Sequence, residues 1–136
     1  MSTNVRLPTV RERIEGGLLG LLIGDALGVP YEFHDPRDLP PRSKIEMTPP
    51  SGFARAHRTA PPGTWSDDGA QALCLLESLL ECGRFDIDDF GARLLRWLDD
   101  GHLAVDAHVF DFGGTTHDAI MRSIELFAEK IIPRFQ

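Results

Sequence analysis

The stretch Gly16-Gly17-Leu18-Leu19-Gly20-Leu21-Leu22-Ile23-Gly24-Asp25-Ala26-Leu27-Gly28 decides how the rest of the chain is read. It lies in a segment, Val10 to Leu27, where apolar Val10, Ile14, Leu18, Leu21, Leu22 and Ala26 recur at spacings of three and four, which predicts an α-helix. Gly16, Gly20, Gly24 and Gly28 repeat every four residues and so share one face, although each interior glycine costs about 1 kcal/mol relative to alanine. That cost implies a close approach on this face, either by a second helix or by a ligand. Asp25 sits within this apolar turn, where an uncompensated charge is costly, so it is expected to be hydrogen-bonded, paired or near a metal.

Downstream, eight of the ten prolines fall between Pro30 and Pro62, so neither a long helix nor a central strand crosses residues 30–62. A loop of that length inside a compact domain reads as a partly ordered lid or binding loop. A second helix is predicted to open at Ser66 as N-cap and to stop at Gly83, and a third to open at Asp86 and close at Gly101. The third carries Ile87, Phe90, Leu94, Trp97 and Leu98 on one side and reads as an amphipathic surface helix. A fourth, from about Thr116 to Phe127, follows the Phe110-Asp111-Phe112-Gly113-Gly114-Thr115 loop. No segment alternates as a strand does, so the expected fold class is all-α.

The chain has 136 residues, one domain's worth, and near-average hydrophobic (42%) and charged (26%) fractions exclude a disordered or collagen-like chain. Fourteen Lys and Arg against 21 Asp and Glu give a net charge of −7, which argues against nucleic acid as a partner. The most apolar run, Leu18 to Ile23, is far shorter than the roughly 20 residues of a membrane span, and the N-terminus has no signal-peptide pattern. The expectation is a cytoplasmic protein with no membrane segment. Cys74 and Cys82 would lie about 12 Å apart along a helix, too far to bridge, and are expected to pack as small apolar side chains.

Four acids besides Asp25, and one hydroxyl, are candidates for chemistry. Ser66-Asp67-Asp68 reads either as an N-cap with acids complementing the helix dipole or as three oxygen donors for a hard cation. Glu32 is either a solvated loop acid or a site carboxylate at the start of the lid, and Asp111 either a capping residue or a catalyst. The five histidines, His34, His57, His102, His108 and His117, have no metal-ligand spacing and read as ordinary polar residues.

In this order the motifs resemble the N-terminal part of the ADP-ribosylglycohydrolase family. Gly16 to Gly20 with Gly24 to Gly28 is similar to its first helix and Glu32 to its loop glutamate. Gly63-Thr64-Trp65-Ser66-Asp67-Asp68 is similar to its metal motif, and Phe110 to Thr116 to its Phe-Asp-Ile-Gly loop. The resemblance covers about Ile14 to Ile124. It implies an orthogonal all-α bundle that holds two Mg²⁺ or Mn²⁺ ions and hydrolyses the bond joining ADP-ribose to a protein side chain or small molecule. By the same resemblance Ser66, Asp67 and Asp68 are metal ligands, Glu32 and Asp111 are catalytic, Gly113, Gly114 and Thr115 bind substrate, and residues 30–62 gate it.

The family's distal half supplies a second aspartate cluster, and nothing after Asp118 here matches it, so residues 1–136 are expected to be the N-terminal part of one such domain, apparently truncated. Two octahedral ions need about twelve oxygen donors, and three side chains suffice for at most one ion. The alternative expectation is therefore a non-catalytic ADP-ribose-binding or interaction module. Half a bundle leaves core-facing surface uncovered, which also raises self-association.

Overall fold

A computed structural model describes residues 6–113 together with Asp118 and Arg122. Helix α1 spans Val10–Gly28, α2 Asp67–Cys82 and α3 Ile87–Asp100, with short 3-10 turns at Val29–Tyr31 and Arg42–Lys44 and an irregular turn at Val105–Ala107. No strand occurs among the described residues, and the all-α expectation holds. The expected fourth helix falls outside the described residues except for Asp118 and Arg122, both helical.

α1 begins where Thr9 and Glu12 close a capping box: the Glu12 N–H donates to Thr9 Oγ1 at 3.2 Å and the Thr9 N–H to Glu12 Oε2 at 2.7 Å. α2 and α3 end at Gly83 and Gly101, both in the left-handed conformation (φ +65° and +69°) that glycine adopts without strain. At Gly101 a Cβ would also run into the Ala107 backbone, so the turn after α3 needs this residue twice over.

α2 packs against both α1 and α3. Its buried face is a stripe of small residues, Ala70, Cys74 and Ser78, spaced by four. That smoothness lets α3 lie close, and Trp97 fills the junction at 1% exposure, surrounded by Trp65, Phe90, Leu94, Leu95, Leu98 and Leu103. Burial pushes the Cys74 thiol up to about 11, which suits a side chain that packs rather than reacts. Both cysteines are free, as their spacing requires.

The third helix departs from its expected pattern. Ile87, on the expected apolar side, is exposed, whereas Arg93 is buried. Its guanidinium reaches Asp89 at 2.7 Å, Glu81 at 2.8 Å and also Glu77, which in turn meets His102 Nε2 at 2.7 Å. The aliphatic stem is buried between α2 and α3 while the fork finds three carboxylates, a combination that hydrophobic periodicity does not register.

The proline-rich segment is irregular but anchored. Tyr31 Oη donates to the Glu46 carbonyl at 2.8 Å and accepts from its N–H at 3.1 Å, and His34 Nε2 pairs with the Ala54 carbonyl at 2.8 Å. The Phe53 ring packs on both Tyr31 and His34.

The expectation of no membrane-length segment rested on Leu18 to Ile23 alone and needs correction. With its following turn, α1 makes a run Val10–Tyr31 of mean hydropathy 1.2, long and apolar enough to cross a membrane by length and composition. Its glycines lengthen the apolar window without adding large side chains. The C-terminal part of this run packs within the fold, with Ala26, Val29, Pro30 and Tyr31 buried, whereas Val10, Ile14, Leu19, Leu21 and Ile23 are exposed.

Candidate functional site

Asp25 organises the site. The opening turn of a helix leaves backbone N–H groups without intrahelical partners, and α2 is expected to satisfy them with its own Ser66. Ser66 does occupy the N-cap position, but its side chain makes no cap bond. Instead Asp25, from α1, accepts the Ser66 N–H at 2.9 Å, the Gly69 N–H at 2.8 Å and the Ser66 hydroxyl at 2.7 Å. The charge that looked costly in an apolar turn thus has three donors. Gly69 makes this possible: a Cβ there would lie 2.8 Å from Asp25 Oδ2 and 2.8 Å from Trp65 Cβ. Trp65 itself is held by its indole N–H, which donates to the Leu103 carbonyl at 3.0 Å.

Beside this junction is an open cavity of about 570 Å³ lined by Leu21, Gly24, Asp25, Gly28, Glu32 and Asp68. Two members of the glycine stripe, Gly24 and Gly28, face it, and a Cβ on either would meet nothing within 4 Å. Among the described residues the glycine face makes no tight helix contact.

Glu32 and Asp68, from separate motifs, both line this cavity. Asp111 joins Glu32 through a residue that sequence reasoning passed over. His57 Nε2 lies 2.6 Å from Glu32 Oε2 and 3.4 Å from Asp111 Oδ2, and its side chain is only 15% exposed. The reading of His57 as an ordinary polar residue is therefore corrected. No spacing rule could find it, because it stands 25 residues from Glu32 at the far end of an irregular loop.

Three non-glycine residues around this cluster adopt left-handed backbone: Phe33 at φ +61°, His57 at +42° and Asp111 at +53°. Each such residue costs on the order of 1–3 kcal/mol and persists where surrounding structure enforces it, commonly at functional sites.

The electrostatics are those of crowded acids. Burial, then the hydrogen bond and charge of Asp111, and then Asp25 and Asp67, push the Glu32 carboxyl up to about 8. Asp67 is also raised, by burial first and then by Asp68 and Asp111. Crowded carboxylates and a hydroxyl at one helix start are oxygen donors suited to a hard divalent cation. Ser66 gives its proton to Asp25, which leaves its oxygen lone pairs available, so Ser66, Asp67 and Asp68 fit such an ion chemically. Gly113 is exposed and does not line the cavity, and Gly114 and Thr115 lie outside the described residues.

The chain is 38% identical over 109 residues to an ADP-ribosylarginine hydrolase Tri1 of Serratia proteamaculans, an alignment that covers 80% of this chain and 28% of the relative. A second hydrolase of that name, from Pseudomonas putida, is 35% identical over 80% of this chain and 27% of its own length. An ADP-ribosyl-[dinitrogen reductase] glycohydrolase of Rhodospirillum rubrum is 34% identical over 67% of this chain and 30% of its own. The chain thus spans less than a third of these relatives. The profile of the ADP-ribosylglycohydrolase family matches residues 6–131, almost the whole chain, and the protein belongs to that family.

Proposed function

We propose that this chain carries the N-terminal part of a metal-dependent hydrolase that cleaves the glycosidic bond between ADP-ribose and a protein side chain or small conjugate. The observation that carries this reading is the convergence of Glu32, Asp68 and, through His57, Asp111 on one cavity and its wall, although they come from three separate stretches of sequence. Family membership supports hydrolysis of an ADP-ribose linkage, and the named relatives support an ADP-ribosylated protein as substrate.

Ser66, Asp67 and Asp68 would hold Mg²⁺ or Mn²⁺, which when bound orients ribose oxygens and a water and withdraws charge from them. Two carboxyls that share a site do not both ionise readily, and Glu32 is the member that keeps its proton near neutral pH. From that carboxyl it would protonate the departing group. As the bond to C1″ breaks, the ribose gains oxocarbenium-like positive charge, which nearby carboxylates stabilise. Residues 30–62, anchored through Tyr31 and His34, would shape access to the cavity.

The test combines a thermal melt of the 136-residue chain in Mg²⁺ against EDTA with an assay for ADP-ribose release from ADP-ribosylated arginine. A melt that rises with Mg²⁺, with metal-dependent release, is the expected result. ADP-ribose binding without release would make the chain a non-catalytic module. A melt insensitive to both metal and ADP-ribose would overturn the reading.

A further inference from the structure

We infer that His57 is a positioning residue of this site: it holds the Glu32 carboxyl against Asp111 in the orientation the proposed reaction uses. Its meaning for catalysis rests on that proposed reaction, but the placement itself is testable without turnover.

Four observations carry it. One ring nitrogen, Nε2, forms a hydrogen bond with Glu32 at 2.6 Å and stands 3.4 Å from Asp111 Oδ2, so the imidazole sits where the two carboxyls meet. The seat of the ring is built from the chain neighbours of those two acids: its centroid is 5.4 Å from that of Phe33, next to Glu32, and 5.0 Å from that of Phe110, next to Asp111. The loop is pinned on both sides of His57, by the Ala56 N–H donating to the Pro30 carbonyl and by the buried Ala60 donating to the His57 carbonyl, each at 2.9 Å. Finally, Phe33, His57 and Asp111 all hold left-handed backbone, so each of the three segments is bent to bring its side chain to this point.

The groups that face Glu32 are His57, Asp111, Asp25 and Asp67, and without the imidazole the Glu32 carboxyl loses its 2.6 Å partner and is free to swing toward solvent. Such a displaced carboxyl would leave Asp111 and gain water.

The experiment is carboxyl ¹³C NMR of the ligand-free chain, comparing wild type with His57→Gln and His57→Phe. Glutamine offers both a donor and an acceptor at similar reach, and phenylalanine keeps the ring packing but offers neither. In the wild type Glu32 should titrate well above an ordinary glutamate. His57→Gln should retain most of that displacement, and His57→Phe should return Glu32 toward the ordinary range by about one pH unit or more. A Glu32 titration unchanged in a folded His57→Phe chain would overturn the inference.

Should that variant fail to fold, imidazole ¹⁵N spectra of the wild type decide. A His57 Nε2 resonance that moves on Glu32→Gln supports the placement, and one that stays at the position of a solvated imidazole overturns it. Absence of ADP-ribose release by the wild type would count against the proposed function and leave the readout for His57 intact.

Discussion

The Ser66 hydroxyl donates to Asp25 Oδ1 at 2.7 Å across 41 residues of sequence, and this contact joins the glycine-rich helix to the start of α2. The same carboxylate takes two backbone N–H groups of the α2 opening, so it serves as a cap supplied by another helix. Removing it should leave donors at Ser66 and Gly69, both buried, without partners. At roughly 1–3 kcal/mol for each unsatisfied group, Asp25→Ala should destabilise the chain by about 3 kcal/mol, measured by urea unfolding. A loss below about 1 kcal/mol would show that the contact is incidental.

Gly69 follows the paired aspartates Asp67 and Asp68 in the first turn of α2. A side chain here would press on Asp25 Oδ2 and Trp65. Gly69→Thr is accordingly expected to lower stability by about 1–3 kcal/mol, as overpacking does, and to weaken any Mg²⁺-dependent rise in the melt. Equal or better stability would mean that Asp25 and Trp65 can shift without cost.

Glu32 gives the chain a pH dependence of definite sign. Its folded-state value, about 8, lies above the ordinary 4.5, so between these two values the folded state binds more protons than the unfolded state. The contribution of this group to stability is therefore greatest below about 4.5, declines as pH rises towards 8 and is level above that. Melts of wild type and Glu32→Gln across this range should diverge, the variant being the more stable of the two at pH 8. Parallel curves would remove Glu32 as the cause.

Asp67 should show opposite effects with and without metal. Burial and the charges of Asp68 and Asp111 raise its carboxyl, so Asp67→Asn relieves repulsion and should raise the melting temperature in EDTA. The same change removes a proposed ligand and should abolish the response to Mg²⁺. A variant that loses stability in EDTA yet still responds to Mg²⁺ would contradict both arguments.

Arg93 ties α2 to α3 through Glu77, Glu81 and Asp89. Lysine cannot reproduce a planar fork that serves three carboxylates, so Arg93→Lys should lower the melting temperature by several degrees. The arginine holds the Asp89 carboxyl down at about 2, below its ordinary 3.8. The stability from that pairing is present above about 3.8 and is lost as pH falls towards 2, and the Arg93→Lys deficit should narrow over that acid range.

Much of this architecture is legible in the linear sequence because it depends on local rules. Spacings of three and four predict α1, and the stop signals at Gly83 and Gly101 coincide with left-handed caps. The acid Asp25 in an apolar turn announces that it needs partners, and it has them. The partners themselves were not legible: Ser66 reads locally as the cap of its own helix, and only the packing of α1 on α2 shows a stronger acceptor taking its place. His57 was missed for the same reason. Nothing local distinguishes it from His34 or His108 until an irregular loop folds it against Glu32 and Asp111.

What the sequence alone determined is the helical class, the boundaries of the first three helices within a few residues, and the order of motifs on which the family resemblance rests, since periodicity, caps and motif order are properties of neighbours along the chain. Tertiary structure alone decided that Gly24 and Gly28 face a cavity, that Asp25 caps a helix other than its own, and that His57 sits where two carboxyls meet. Those outcomes depend on contacts between residues far apart in sequence, which form only when helices pack and loops close, and whose energies no local pattern encodes.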